Sequence, residues 1–554
     1  MRARRAAAWT AGTLAVALIT TACGGGRGEP DPGGGDAAPS DVTISINGTE
    51  PENPIVPGNT NETGGGKIID ALFSPLVEYN PRTAEPENLV AESIETTDSR
   101  VYTIRLEDGW TFHDGTPVTA QSFVRSWNYT AYSPNGQQNS SFFSQIAGYD
   151  QVHTDDPDGS TGPLTAPQPA AQEMSGLRVI DDRTFEVTLS EPFAVFPTML
   201  GYRAFAPLPD SFFADQAAWE ANPIGNGPFR FVSRQPGVNV VVERYEQWPG
   251  EPRPSIGGVE FRFYESAEAA YADVVANNLD FIEVIPPSGL AGNLYQTDLA
   301  DRSVSETYLG VQRLGFPLYD ARYQNPQLRQ AISMAIDREA VNQQIFGGTR
   351  PPADGLVAPK VPGRVENQCG ELCTHQPERA RQMFEATGFQ GPIELTSNAD
   401  AGNAEWMQAT CVTISNSLGV QCNFVPVPTF GEFRSAINAR EMSRIYRTGW
   451  VADYPSIENF LNPMYRTGAS TNDGEYSNPA VDELLARGRR PVRGGGQRAL
   501  PGGGTPDHPG HARDPGVLPV VPGRLVGADA DRHGDAVPRA RPGERHGLGV
   551  RPQQ

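Results

Sequence analysis

The sequence predicts a mixed α/β protein divided into more than one lobe, and three observations carry that expectation. At 554 residues the chain is too long for one small core. From Val238 to Ile282 strand-like and helix-like stretches alternate, the pattern of strands covered by helices. The same alternation returns between Asn325 and Pro426, far from the first.

The N-terminal stretch lies outside this pattern. Arg2, Arg4 and Arg5 precede an apolar run from Ala6 to Ile19, too short for a comfortable membrane span and suited to a secretion signal. Thr20-Thr21-Ala22-Cys23-Gly24 follows and resembles a bacterial lipoprotein cleavage site, of the actinobacterial type, with Thr20 where an aliphatic residue is usual. The resemblance implies a signal peptide over 1–22, lipid on Cys23, and anchorage at the extracytoplasmic face of the cell membrane. The Gly-, Pro- and Asp-rich stretch over 23–40 reads as a flexible tether.

Asp41 to Asn47 alternates as a strand. Lys67 to Tyr79 carries Ile68, Ile69, Leu72, Phe73, Leu76 and Val77 at helical spacing, ending near Pro81. Val101 to Leu106 is a strand, Asp114-Gly115 a tight turn, and Thr119 the N-cap of a helix through Val124 and Trp127. His113 stands beside Asp114, but no serine or cysteine can be placed near it as a nucleophile, so it reads as part of the turn. Asp155 to Gln172 is a surface loop by its Pro, Gly and Asp content. Leu177 to Leu189 forms two strands about Asp181-Asp182, and Phe193, Phe196 and Leu200 a short helix.

Pro223 to Phe231 is rich in glycine, which permits close backbone approach; no lysine follows it, so phosphate binding is not supported. Val238 to Arg244 and Val259 to Tyr264 are strands, Ala267 to Ala276 a helix, and Leu279 to Ile282 a strand. Asn325 to Arg338 is a helix whose apolar face is Leu328, Ile332, Ala335 and Ile336. Helices at Pro377–Phe389 and Trp406–Leu418 then alternate with strands at Glu394–Thr396 and Cys422–Pro426.

A formal charge of -22 argues against nucleic acid as a partner. With Cys23 set aside, four cysteines remain, an even count that suits an oxidising compartment. Short loops close locally, which favours Cys369–Cys373 with Cys411–Cys422 among the three possible pairings. A zinc site is the rival reading, and it lacks a second close pair with metal-site spacing. No cofactor or metal is expected.

The candidate ligand segment comes next. Met442 to Tyr446 reads as a short strand and Gly449 to Pro455 as a loop. Arg447 offers a planar fork that suits a carboxylate. Asp453 offers a charge that could hold an ammonium, Trp450 and Tyr454 stand as walls, and Gly449 is a further candidate ligand-binding residue. On spacing alone, a surface turn with an incidental ion pair remains the alternative.

Several of these stretches resemble the peptide/oligopeptide-binding family (family 5) of ABC-transporter solute-binding proteins. The run from Val101 to Trp127 resembles the family's "LRDGVKFHDGTPVTAEDV" hallmark, and Pro223 to Phe231 its "PVGTGPY" segment. Asn325 to Arg338 resembles its "RVRQALAYAIDR" helix. Arg447-Thr448-Gly449-Trp450-Val451-Ala452-Asp453-Tyr454 resembles the segment that grips peptide termini. The resemblance implies an α/β, type II periplasmic-binding-protein fold, bilobal with an additional lobe. It divides the chain into a discontinuous main lobe over 41–76 and 200–305, a smaller lobe over 77–199, and a second ligand-binding lobe over 306–486. It implies peptide capture between hinged lobes, Asp453 on the α-amino group and Arg447 on the carboxylate, and delivery to a membrane permease and its ATPase by a monomer with no catalytic residues. A non-peptide cargo (a sugar, nickel complex or opine) is the alternative on the same fold.

After Leu485 the composition changes. Arg487 to Gln554 has no Ile, Phe, Tyr, Trp, Met, Lys, Asn or Ser. Such a segment cannot bury enough apolar surface to fold, so 487–554 is expected to be disordered. A shifted reading frame is the preferred origin. Back-translated one base out of frame, Ala499 to Gly504 can read Leu-Tyr-Gln-Glu-Ala, a helix expected at this point in the family.

Overall fold

The computed structural model describes residues 40–51, 53–154, 165–264, 266–304, 306, 308–399, 403–428, 430–469, 471–489, 517–522 and 548–550. Cys23 and the signal and tether expected before residue 40 lie outside the described residues. So does most of 487–554, apart from Arg487–Arg489, Val517–Pro522 and Leu548–Val550.

The first sheet is built on Thr43–Gly48, flanked in parallel by Gly258–Phe263 and Phe281–Ile282. Asn239–Arg244 and Phe229–Gln235 extend it antiparallel, and Leu548–Val550 borders the other edge. Ile68, Ile69 and Leu72 of the helix Thr63–Leu72 pack into one core with Val240, Val242 and Phe261. That helix stops at Leu72 and Val77–Tyr79 is a strand, where the spacing predicted helix throughout. Pro75 explains the stop: it has no N–H and pushes Ser74 away from helical dihedrals. Asn226 then takes the freed backbone, accepting from Ser74 N at 3.0 Å and donating to Ser74 O at 2.9 Å.

The glycines at 225 and 227 are required by this contact. A side chain at Gly225 would lie 1.9 Å from Leu72 O. His113 is clamped on the same segment, with Nδ1 accepting from Gly225 N and Nε2 facing Gly227 O, both at 3.1 Å. That pairing assigns a neutral ring with its proton on Nε2, and burial holds its pKa down at about 4.

The second sheet is antiparallel: Ala91–Glu95, Val101–Leu106, Thr184–Thr188 and Leu177–Asp181. The helix Ala120–Ala131 covers it, its N-terminus closed by a capping box between Thr119 and Ser122. Trp127 is fully buried on that helix, edge-on to Phe185 and Phe205.

The third sheet has the order Cys422–Phe424, Ile393–Thr396, Ile445–Val451, Gly310–Gly315, Val517–Pro522. Helices Pro326–Ala335, Pro377–Ala386 and Ala404–Leu418 pack on it. The run predicted as one helix over Asn325–Arg338 breaks at Ile336, and a second helix, Arg338–Phe346, starts from the Asp337 cap. Val274, Leu279, Ile282 and Leu299 share this lobe's core, so residues before 306 pack with those after it. The structure pairs Cys369 with Cys373 and Cys411 with Cys422, at Cα separations of 5.6 and 5.4 Å.

Candidate functional site

Arg447, Gly449 and Trp450 lie on the strand Ile445–Val451, not in a loop as their composition predicts. The ladder decides this. Gly310–Gly315 pairs with the strand antiparallel, and Ile393–Thr396 pairs with its start in parallel, leaving the backbone little freedom to turn. In that register Gln312 stands opposite Gly449. Gln312 Oε1 accepts from Arg447 Nε at 2.8 Å. A side chain at 449 would meet the Gln312 amide at 2.9 Å, so the glycine makes room for the group that orients Arg447.

A cavity of about 170 Å3 opens on this strand, lined by Arg313, Arg434, Arg447, Gly449, Trp450 and Asp473 among others. Arg434 is neutralised there by Asp473, Nη1 to Oδ2 at 2.7 Å. Neither Arg447 nor Arg313 has a carboxylate partner among the described residues. Burial, and next the Arg313 charge beside it, lower the Arg447 pKa to about 10, which leaves it charged at neutral pH.

Asp453 lies beyond the end of the strand and does not line this cavity. Asn459 holds it. This residue is 1% exposed on the helix Ile457–Tyr465, whose first turn is capped by Ser456. Asn459 Oδ1 accepts from Asp453 N and from Trp450 Nε1, both at 3.0 Å. Its Nδ2 donates to Asp453 Oδ2 at 3.0 Å. One amide thus fixes both the tryptophan and the carboxylate of the segment. Sequence reasoning missed Asn459; the signal available was an asparagine in the first turn of the helix that follows Asp453-Tyr454-Pro455.

No cation among the described residues forms an ion pair with Asp453. Burial raises its pKa to about 6, against the opposing pull of the Asn459 amide and the Arg203 charge. Arg203 itself is committed to Asp70 through two bonds of 3.0 and 2.8 Å. Burial, then the Asp453 charge, push up the phenols of Tyr79 and Tyr202, which belong to or pack against the same apolar core as Tyr454.

Tyr454 is buried rather than on the cavity. It joins the apolar core built mainly from Leu76 to Phe205, and its hydroxyl donates to Glu458 Oε2 at 2.6 Å. Glu458 in turn faces Arg489 Nε at 3.5 Å, and Arg489 stacks over Phe193. The segment therefore presents Arg447, Gly449 and Trp450 to the cavity, and Asp453 and Tyr454 to the seam with the smaller lobe.

These groups set a pH dependence of stability. The His113 pKa is lowered from 6.5 to about 4, so its contribution is full above 6.5 and is lost as pH falls through about 4. The Asp453 pKa is raised from 3.8 to about 6, so its contribution is full below 3.8 and is lost as pH rises through about 6. The two oppose each other between these limits. Asp453→Asn removes one of them, and its unfolding free energy is expected to fall with acidification more steeply, by about 1.4 kcal/mol per pH unit. Urea unfolding of both proteins across this window measures it; parallel slopes would count against the placement of Asp453.

Comparison with known proteins adds a family. Residues 85–472 match the family described as bacterial extracellular solute-binding proteins, family 5 Middle. The oligopeptide-binding protein OppA of Bacillus subtilis is 24% identical over 497 residues, covering 86% of this chain and 88% of its own. The crystal structure of Haemophilus influenzae OppA in complex with the peptide RPPGFSPFR has a TM-score of 0.64 at 20% identity, covering 87% of this chain and 94% of that one. AgaA in complex with agropinic acid, from A. tumefaciens R10, has a TM-score of 0.66 at 18% identity, covering 88% and 92%. These likenesses show the type II solute-binding fold that the motifs imply. Proteins of the family work outside the cytoplasm, and no helix among the described residues is long and apolar enough to cross a membrane. The chain belongs to the bacterial extracellular solute-binding proteins of family 5.

Proposed function

We propose that the protein captures short peptides outside the cell membrane and delivers them to the permease of an ABC importer. One observation carries this reading: a single segment holds a half-buried carboxylate and a half-buried guanidinium, neither with an ion-pair partner among the described residues. Each uncompensated charge costs several kcal/mol in the free protein. A zwitterion of suitable length relieves both, its ammonium on Asp453 and its carboxylate on Arg447. The two residues are six positions apart, so their Cα atoms are at most about 20 Å apart, a span that an extended peptide of about six residues or fewer covers. The peptide named in the Haemophilus OppA complex and the name of the Bacillus relative support the same cargo class.

A second reading, a non-peptide cargo such as a sugar, nickel complex or opine, is favoured by the agropinic acid bound to AgaA. A neutral sugar would leave both charges uncompensated, which is why peptides are preferred. In either reading the protein is a carrier and not an enzyme, works as a monomer, and is held to the membrane by lipid on Cys23. Mass spectrometry of the ligand released from denatured, freshly purified protein tests the cargo. Short peptides are expected; a single sugar or opine would overturn the reading.

A further inference from the structure

The positive charge of the cavity exceeds what one peptide carboxylate balances. Arg434 is neutralised by Asp473. Arg447 is assigned to the terminal carboxylate, which leaves Arg313. This side chain is 1% exposed, and its Nε has no hydrogen-bond partner among the described residues. Its Nη1 donates to Tyr465 Oη at 2.9 Å and its Nη2 faces Met464 Sδ. A phenol and a thioether are neutral acceptors, poor partners for a guanidinium with five donors. The ladder sets Arg313 opposite Thr448 and Arg447 opposite Leu314, on alternate faces of the sheet, and both arginines line the same cavity of about 170 Å3. A buried guanidinium held without a counter-anion is costly, and a ligand that brings one is favoured correspondingly.

We infer that the cavity takes a second carboxylate: the preferred ligands are short peptides ending in an acidic residue, whose terminal carboxylate meets Arg447 and whose side-chain carboxylate meets Arg313. This rests on the peptide reading above. Arg313 thereby becomes a specificity determinant, separate from the pair that holds the two termini. Asp473 does not oppose the incoming anion strongly, because Arg434 holds both of its oxygens, at 2.7 and 3.2 Å.

Calorimetry of the purified protein with Ala-Ala-Glu, its side-chain amide Ala-Ala-Gln, and free glutarate tests this. Ala-Ala-Glu is expected to bind about tenfold or more tighter than Ala-Ala-Gln, and glutarate far more weakly than either. In Arg313→Met the preference should shrink to about twofold or less with Ala-Ala-Gln affinity retained, whereas Arg313→Lys should keep much of it. The comparison on the unaltered protein stands even if a variant does not fold. Equal affinity for Ala-Ala-Glu and Ala-Ala-Gln would overturn the inference and leave the peptide reading intact. Glutarate matching Ala-Ala-Glu would overturn it in favour of a free dicarboxylate. Failure of both peptides to bind would overturn the peptide reading itself.

Discussion

Asp453→Asn is expected to weaken peptide binding by on the order of a hundredfold, about 3 kcal/mol, while making the free protein more stable. Both effects have one cause. The carboxylate is half-buried with no ion-pair partner among the described residues, and desolvation raises its pKa from 3.8 to about 6. The shift corresponds to a stability cost of about 3 kcal/mol at neutral pH, which the amide would remove. The same amide can still accept from Asn459 Nδ2, so the 3.0 Å contact that positions the side chain is kept. An N-acetylated peptide has no ammonium to lose and should bind both proteins alike. Affinity of the unaltered protein for a free peptide should also fall as pH drops below about 6, because only ionised Asp453 attracts the ammonium. Calorimetry and urea unfolding together read the two signs. A variant that binds as tightly as the parent, or is less stable than it, would contradict this account of Asp453.

Arg447→Met should produce a loss of similar size, confined to ligands with a free C-terminus. The methionine keeps an unbranched chain in the strand and removes the guanidinium that Gln312 orients at 2.8 Å. It also removes a positive charge from beside Arg313, whose proximity helps lower the Arg447 pKa to about 10. Free peptides are expected to bind on the order of a hundredfold more weakly, and C-terminally amidated ones with about unchanged affinity. Equal losses for free and amidated peptides would mean that Arg447 shapes the cavity and does not meet the carboxylate.

Much of the scaffold was legible because its signals are local. Thr119 caps the helix predicted from it, since a cap needs only residues a few positions away. The helix stop at Leu72 depended equally on a local residue, Pro75, that the apolar spacing beyond it concealed. The ligand segment was visible as a cluster of residue types, but its conformation was not. Whether Arg447 to Val451 turns or extends is decided by pairing with Gly310–Gly315, more than 130 positions earlier. Arg313 was missed for that reason: only the pairing of distant strands brings it to the cavity that Arg447 lines. Tyr454 shows the complementary difficulty. An aromatic ring after a strand can face a ligand or a core, and packing against the smaller lobe, invisible in the segment itself, turns it to the core.

The most direct test is a crystal structure of the protein with a bound tripeptide. The account predicts the peptide's α-amino nitrogen within hydrogen-bond distance of the Asp453 carboxylate, about 2.7–3.2 Å, and its terminal carboxylate on the free guanidinium nitrogens of Arg447. A peptide bound in the protein with its termini on neither residue would contradict it.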